Sequence, residues 1–368
     1  MSVTPTHPPQ RPVADRCPGL LRPHVAQDGA LVRLRLPGGE VGVDVLMDLL
    51  ALAGRHGAPV LQLTSRGNLQ LRGLPDPLPD AFVRGVEATG LLPSATHERV
   101  RNVLAAPLAP GLQPLVRDLD AALCADPALA DLPGRFLFAV ADASGSPLSE
   151  PYDVAYRARS LTEGLLLAGG RGRPVSSTDA VAAVLDVARA FLAHAPHGVW
   201  NVRDLPAGSP VLGGLDPVPP AVAPPLEPGP VGEDLVAGVP LAMLRPGHVA
   251  ALAEVAGRVV VTPWRSLVVR GGAAAATALE RAGLVVDPAS AASRVSACVG
   301  APHCAKARSA TLPVAADVVA ALDARGTATP PLHVVGCERR CGARDGDLVA
   351  VGAPDADAVL SLLPGDRA

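Results

Sequence analysis

The sequence predicts an α+β protein built as two related halves. Three observations point there: a segment that recurs about 200 residues downstream, the same order of elements around each copy, and a proline-rich seam between them. Leu61 to Gly73 reads LQLTSRGNLQLRG, and Val259 to Gly271 reads VVVTPWRSLVVRG. In register, Thr64 meets Thr262, Leu69 meets Leu267, Arg72 meets Arg270 and Gly73 meets Gly271. Each copy alternates apolar residues on both sides of a polar turn, the pattern of a β-hairpin.

The elements follow in order. Leu31 to Leu36 alternates as a strand with Arg33 and Arg35 on one face, and Asp44 to Ala53 has the spacing of an amphipathic helix ended by Gly54. In the second half, Leu241 to Arg245 takes the place of that strand, and Val249 to Ala256 that of the helix, ended by Gly257. After the first hairpin, Arg135 to Ala141 and Gly164 to Ala168 read as strands and Ala180 to Ala193 as a helix. After the second come a short strand at Arg294 to Ala297, a helix at Val314 to Ala324 and a strand at Leu332 to Gly336. The seam, Pro206 to Pro230, carries nine prolines in 25 residues. That density excludes a helix or a central strand and predicts an extended, surface-hugging arm.

Composition sets limits. The chain has 368 residues, 49% of them hydrophobic, with a net charge of -3 and six cysteines. No apolar run reaches the roughly 18 residues of a spanning helix. Residues 1–17 lack a basic start and an apolar stretch, so a cytoplasmic location is expected. Near-neutral charge and 2% aromatics argue against a nucleic-acid surface. Lys306 is the sole lysine, so an anion held by side-chain cations meets guanidinium groups, whose planar forks match carboxylates.

Four cysteines form two pairs, Cys298 with Cys304 and Cys337 with Cys341, each beginning where a short strand ends. A strand–helix–strand unit makes its strands parallel, so both ends emerge on one edge, and directly paired strands would bring the four thiols together. Disulfides are disfavoured in a reducing compartment. Structural zinc stays open, although five residues between Cys298 and Cys304 is a wide gap for it; a [4Fe–4S] cluster accepts wider spacings. Cys124 reads as a buried helical thiol, and Cys17 as part of the N-terminal tail. His194 and His197 flank Pro196, which spoils the helical geometry of an i,i+3 metal pair. The glycines from Gly169 to Gly172 lack the spacing of a dinucleotide fingerprint.

SACVGAPHC at Ser296 to Cys304 and GCERRC at Gly336 to Cys341 resemble the paired cysteine motif of the sulfite and nitrite reductase superfamily. VRLRLPGG at Val32 to Gly39, LTSRGNLQL at Leu63 to Leu71 and RNVL at Arg101 to Leu104 resemble its tetrapyrrole- and anion-binding segments. The resemblance implies a duplicated architecture of two ferredoxin-like halves and two cluster- or tetrapyrrole-binding α/β regions. The expected divisions are a flexible tail (1–17), a first ferredoxin-like half (18–90), a first α/β region (91–205), the linker (206–230), a second half (231–285) and a [4Fe–4S]-binding region (286–368). It implies Cys298, Cys304, Cys337 and Cys341 as cluster ligands, and Arg35, Arg101 and Arg135 around the bound anion. Thr64 and Arg66 would lie against the tetrapyrrole. Leu137 stands where the reductases carry a second cation, which points away from a small dianion.

Within the superfamily the chain is most similar to the precorrin-3B synthase branch. That similarity implies a monooxygenase that takes O₂ and a tetrapyrrole substrate, precorrin-3A, with a [4Fe–4S] cluster and a mononuclear iron as a further candidate centre. No 2-His-1-carboxylate set stands out for such an iron. An NADH-linked reductase or a ferredoxin would supply electrons. A sirohaem-dependent sulfite or nitrite reductase is the second expectation, and a non-enzymatic iron–sulfur or zinc protein the third.

Overall fold

The computed structural model describes residues 15–326 and 329–363. The first half comprises β1 (His24–Ala26), β2 (Gly29–Leu34), β3 (Glu40–Gly42), α1 (Val43–His56), β4 (Leu61–Leu63), β5 (Leu69–Leu74) and α2 (Asp80–Ala88). The expected hairpin forms as β4 and β5, with Gln62 opposite Gln70. The helix does not stop at Gly54; it runs on to His56, and the N–H of Gly57 closes it on the carbonyl of Ala53 at 2.7 Å. A glycine inside a helix is a modest penalty, and the packing of Leu46, Leu49 and Leu52 outweighs it here.

An α/β region follows: β6 (Val103–Ala105), α3 (Gln113–Ala125), β7 (Phe138–Ala141), β8 (Val154–Ala158), β9 (Glu163–Ala168), β10 (Arg171–Ser176), α4 (Ala180–His194) and β11 (Asp216–Pro217). Its sheet runs β11-β10-β9-β8-β7-β6, and α3 and α4 cover one face around Phe136, Phe138 and Phe191. The proline-rich arm follows the body: Leu212 and Leu215 are buried, and β11 extends the sheet edge beside β10.

The second half comprises β12 (Gly229–Val231), β13 (Asp234–Gly238), β14 (Met243–Leu244), α5 (Pro246–Ala253), β15 (Arg258–Val261), β16 (Ser266–Val269) and α6 (Ala276–Arg281). Here the structure corrects the sequence. The strand corresponding to β2 is β13, not Leu241 to Arg245, where only Met243 and Leu244 are extended. The inner residues of β13, Leu235 to Ala237, are buried on both faces, so the strand lacks the alternation that identifies a half-exposed strand.

The halves exchange strands. The first sheet runs β1-β2-β5-β4-β14 and the second β12-β13-β16-β15-β3, so each short strand before a helix completes the sheet of the other half. One core results, in which Leu46, Leu49 and Leu61 of the first half pack with Val249, Leu252 and Leu267 of the second.

The C-terminal region holds α7 (Ala291–Arg294), β17 (Val295–Ala297), α8 (Thr311–Arg325), β18 (Leu332–Val335), β19 (Leu348–Val351) and α9 (Ala356–Leu360). β17 and β18 pair directly and in parallel, as the strand–helix–strand order requires. Of the expected tail, residues 1–14 lie outside the described residues. Asp15 and Cys17 are packed in place: the Asp15 carboxylate accepts the N–H groups of Cys17 and Gly134, at 3.0 and 2.6 Å. Cys124 is half-buried rather than buried.

Candidate functional site

The parallel pairing of β17 and β18 sets the geometry of the cysteines. Ala297 lies opposite Val334, and the N–H of Cys298 continues the ladder to the Val334 carbonyl at 3.0 Å. Beyond β18, the N–H of Gly336 points to Cys298 Sγ at 3.3 Å, so the first thiol already sits where the second loop begins. Each loop folds on its own cysteine: Ala307 N–H bonds the Cys304 carbonyl and Arg340 N–H the Cys337 carbonyl, at 3.0 and 3.2 Å. As a result Cys298, Cys304, Cys337 and Cys341 line one cavity of about 380 Å³.

The opposite wall is the outer face of the first sheet. Strand alternation sends Val32, Leu34, Leu69 and Leu71 into the shared core and turns Arg33, Gln62, Gln70 and Arg72 toward the cysteines. Arg33 Nη2 donates to Gln70 Oε1 and Gln70 Nε2 to Gln62 Oε1, both at 2.8 Å, forming a polar row across three strands. Arg33 Nε is buried with no partner among the described residues. Burial depresses the Arg33 guanidinium, as does the charge of Arg66. The corresponding face of the second sheet differs: Val236, Val260 and Val268 replace Arg33, Gln62 and Gln70, and Leu108 and Leu226 cover them. Only one of the two related faces is therefore polar.

Both hairpins reach the cysteine loops. Arg72 grips Asp28 with Nε and Nη2, at 2.7 and 2.9 Å, and its Nη2 also donates to the His303 carbonyl at 2.9 Å. In the second hairpin, Arg265 Nη2 donates to the Gly342 carbonyl at 2.9 Å, and Arg265 lines the same cavity. A larger cavity, about 560 Å³, lies beyond Trp264 and contains no cysteine.

The residues anticipated from sequence are divided among three environments. Thr64 lines the cavity, and its Oγ1 accepts the N–H of Asn68 at 3.1 Å, shaping the turn. Arg66 and Arg135 stand near each other and near Arg203 and Asp153, and Arg135 stacks 4.9 Å over Trp200. Arg35 and Arg101 do not face the cavity. Arg35 is 2% exposed and donates to the carbonyls of Pro18, Arg33 and Arg99, and burial pushes its guanidinium down to about 9. Arg101 forks onto Asp120 at 2.8 and 2.6 Å and donates to the Leu91 carbonyl at 2.9 Å. Leu137 is buried in an apolar cluster. Sequence reasoning placed Arg33 on a strand face without giving it a role, and did not single out Gln62, Gln70 or Arg265. The signal was present for the two glutamines, the polar positions that alternate with leucine in LQL on both hairpin strands.

The donor set fits a polynuclear metal group. Burial raises the Cys341 thiol, and the neighbouring charges of Cys298, Cys337 and Cys304 raise it further, against the lowering effect of Arg339. Thiols that repel one another when ionised are relieved by a shared cation, since metal ligation requires the thiolate. Zinc would require sulfurs ~3.8 Å apart, from Zn–S bonds of about 2.3 Å. Among the described residues, no three His, Cys, Asp or Glu side chains are gathered for a single ion. Four thiols around one cavity are also the donor set that a [4Fe–4S] cluster takes.

Comparison with known proteins bears on the fold. Residues 24–82 match the family model described as the nitrite/sulfite reductase ferredoxin-like half domain. A stretch of 58 residues is 41% identical to a precorrin-3B synthase from Sinorhizobium sp; it covers 16% of this chain and 13% of that protein. The Mycobacterium tuberculosis NirA protein superposes with a TM-score of 0.58 at 18% identity, over 84% of this chain and 68% of that one. The likeness to NirA establishes a shared mixed α+β fold over most of the chain. No helix among the described residues is long and apolar enough to cross a membrane.

Proposed function

We propose that this chain is a cluster-dependent monooxygenase of the precorrin-3B synthase type, hydroxylating precorrin-3A at C20 with closure of a γ-lactone by an acetate side chain. The observation that carries the reading is the single cavity walled by four cysteines on one side and the Arg33–Gln70–Gln62 row on the other. Cys298, Cys304, Cys337 and Cys341 would hold a [4Fe–4S] cluster, which supplies electrons one at a time when bound. A tetrapyrrole is flat, apolar across its faces and rimmed with carboxylates. Arg33 would meet a rim carboxylate: it lines the cysteine cavity, and a guanidinium can donate two parallel N–H bonds to a carboxylate. Gln70 holds that fork by accepting from Nη2, and Gln62 in turn holds Gln70, so the donor is oriented before the substrate arrives. Leu31, Leu63, Val299 and Val335 line the same cavity and would exclude water from the ring face. Electrons would come from an NADH-linked reductase or a ferredoxin, and O₂ is the co-substrate.

The family match of residues 24–82 also favours a second reading, a sirohaem-dependent sulfite or nitrite reductase. Leu137 stands against it, because a small oxyanion requires several cations and this position is apolar. The test is protein purified without oxygen, assayed for iron, labile sulfide and absorption, then supplied with precorrin-3A, reductant and O₂. Broad iron–sulfur absorption with conversion to the hydroxylated lactone is expected. Sirohaem bands in the isolated protein, with sulfite or nitrite reduction, would replace the first reading by the second.

A further inference from the structure

The two hairpin turns share a backbone shape and, of their five residues, only the leading threonine. Thr64-Ser65-Arg66-Gly67-Asn68 aligns with Thr262-Pro263-Trp264-Arg265-Ser266, and Gly67 has φ 62° where Arg265 has φ 63°. Glycine enters that left-handed region freely, whereas a residue with a long side chain is disfavoured there. Such a conformation persists where the surroundings hold it, and it marks a position whose side chain has work elsewhere.

That work is visible. Arg265 Nη2 donates to the carbonyl of Gly342, the residue after Cys341. Gly342 itself has φ 90°, and a Cβ there would fall 2.8 Å from Arg265 Nη2, so the approach depends on glycine. Cys341 is the exposed member of the four thiols and has most need of an external hold. Its own carbonyl is gripped from within by His333, 0% exposed on β18, whose Nε2 lies 3.0 Å away. Because a carbonyl only accepts, Nε2 carries the hydrogen, and Ser296 opposite it on β17 donates to Nδ1 at 2.7 Å. The first half makes a parallel contact through Arg72 on the carbonyl of His303, beside Cys304.

We propose that Arg265 is a positioning residue for the cluster-binding loop, fixing Cys341 through the Gly342 carbonyl and lending positive charge beside the four thiolates. The proposal rests on the cluster reading above. Partners that orient a metal ligand tune both its affinity and its reduction potential.

The test compares full-length wild type, Arg265→Gly and Arg265→Lys after anaerobic loading with iron and sulfide. Three quantities are read: the rate of cluster loss to a chelator, the midpoint potential, and the melting temperature of metal-free protein. Arg265→Gly relieves the backbone, so metal-free protein should melt at or above the wild-type temperature. Yet it should lose its cluster about tenfold faster, with a midpoint shifted to more negative potential. Arg265→Lys keeps the charge without the planar fork and should stay near the wild-type potential while still losing cluster faster. An Arg265→Gly protein that matches wild type in both cluster measurements overturns the proposal. So does one whose metal-free form melts lower, since that describes a purely structural residue. A wild-type chain that takes up no iron or sulfide overturns the cluster reading first, and this proposal with it.

Discussion

Three arginines, two at β2 and one just before β6, show how little residue type says without its surroundings. Arg101 is committed to Asp120 and a carbonyl, Arg35 to three carbonyls and Arg33 to one amide, with Nε unpartnered among the described residues in both Arg33 and Arg35. The Arg101–Asp120 pair is nearly buried, with 6% and 17% of the two side chains exposed. Removing one member strands the other, so Arg101→Ala should lower stability by about 3 kcal/mol, read from denaturant unfolding. Arg33→Ala should change stability by less than about 1 kcal/mol. It should instead weaken binding of a carboxylated tetrapyrrole roughly tenfold, the scale of one charge-assisted contact. An absorbance titration checks this, and unchanged affinity in Arg33→Ala would remove Arg33 from the site. Arg35, the member of the pair expected at the anion from sequence, lies away from the cysteine cavity for a physical reason. Past Leu34 the strand ends, and Arg35 turns inward to bond backbone that alternation cannot foresee.

At the level of elements, the hairpins and both cysteine loops were legible, because alternation around a polar turn and a strand–helix–strand order are local signals. The strand exchange was not. β3 and β14 are three and two residues long, and their partners come from the opposite half, so no window of sequence contains the pairing. The loss of polarity in the second sheet was readable only by aligning Arg33, Gln62 and Gln70 with Val236, Val260 and Val268. That loss carries its own prediction. Val268 is 0% exposed beneath Leu108 and Leu226, so Val268→Gln buries an amide without partners. The cost should be about 2 kcal/mol in denaturant unfolding. A neutral substitution would mean that the covering residues do not seal this face.

The whole molecule should melt through its two related halves together. Their core is common and each sheet is closed by the other half, so neither can be removed without opening the other. A chain ended at residue 205 loses β14 and its share of the core. It is expected to show no cooperative thermal transition by circular dichroism in its first half, and a sharp melt there would contradict the shared-core account. The exchange has a further consequence. Two identical copies that each lent the other a strand would form an isologous pair, in which symmetry obliges both partners to present the same surface. Carrying the two copies on one chain lifts that obligation: one face can keep its arginine and glutamines while its twin is sealed with valine and leucine. The tether thus turns a symmetric pair into a molecule with a front and a back, and a single cavity in which cysteines and cations meet.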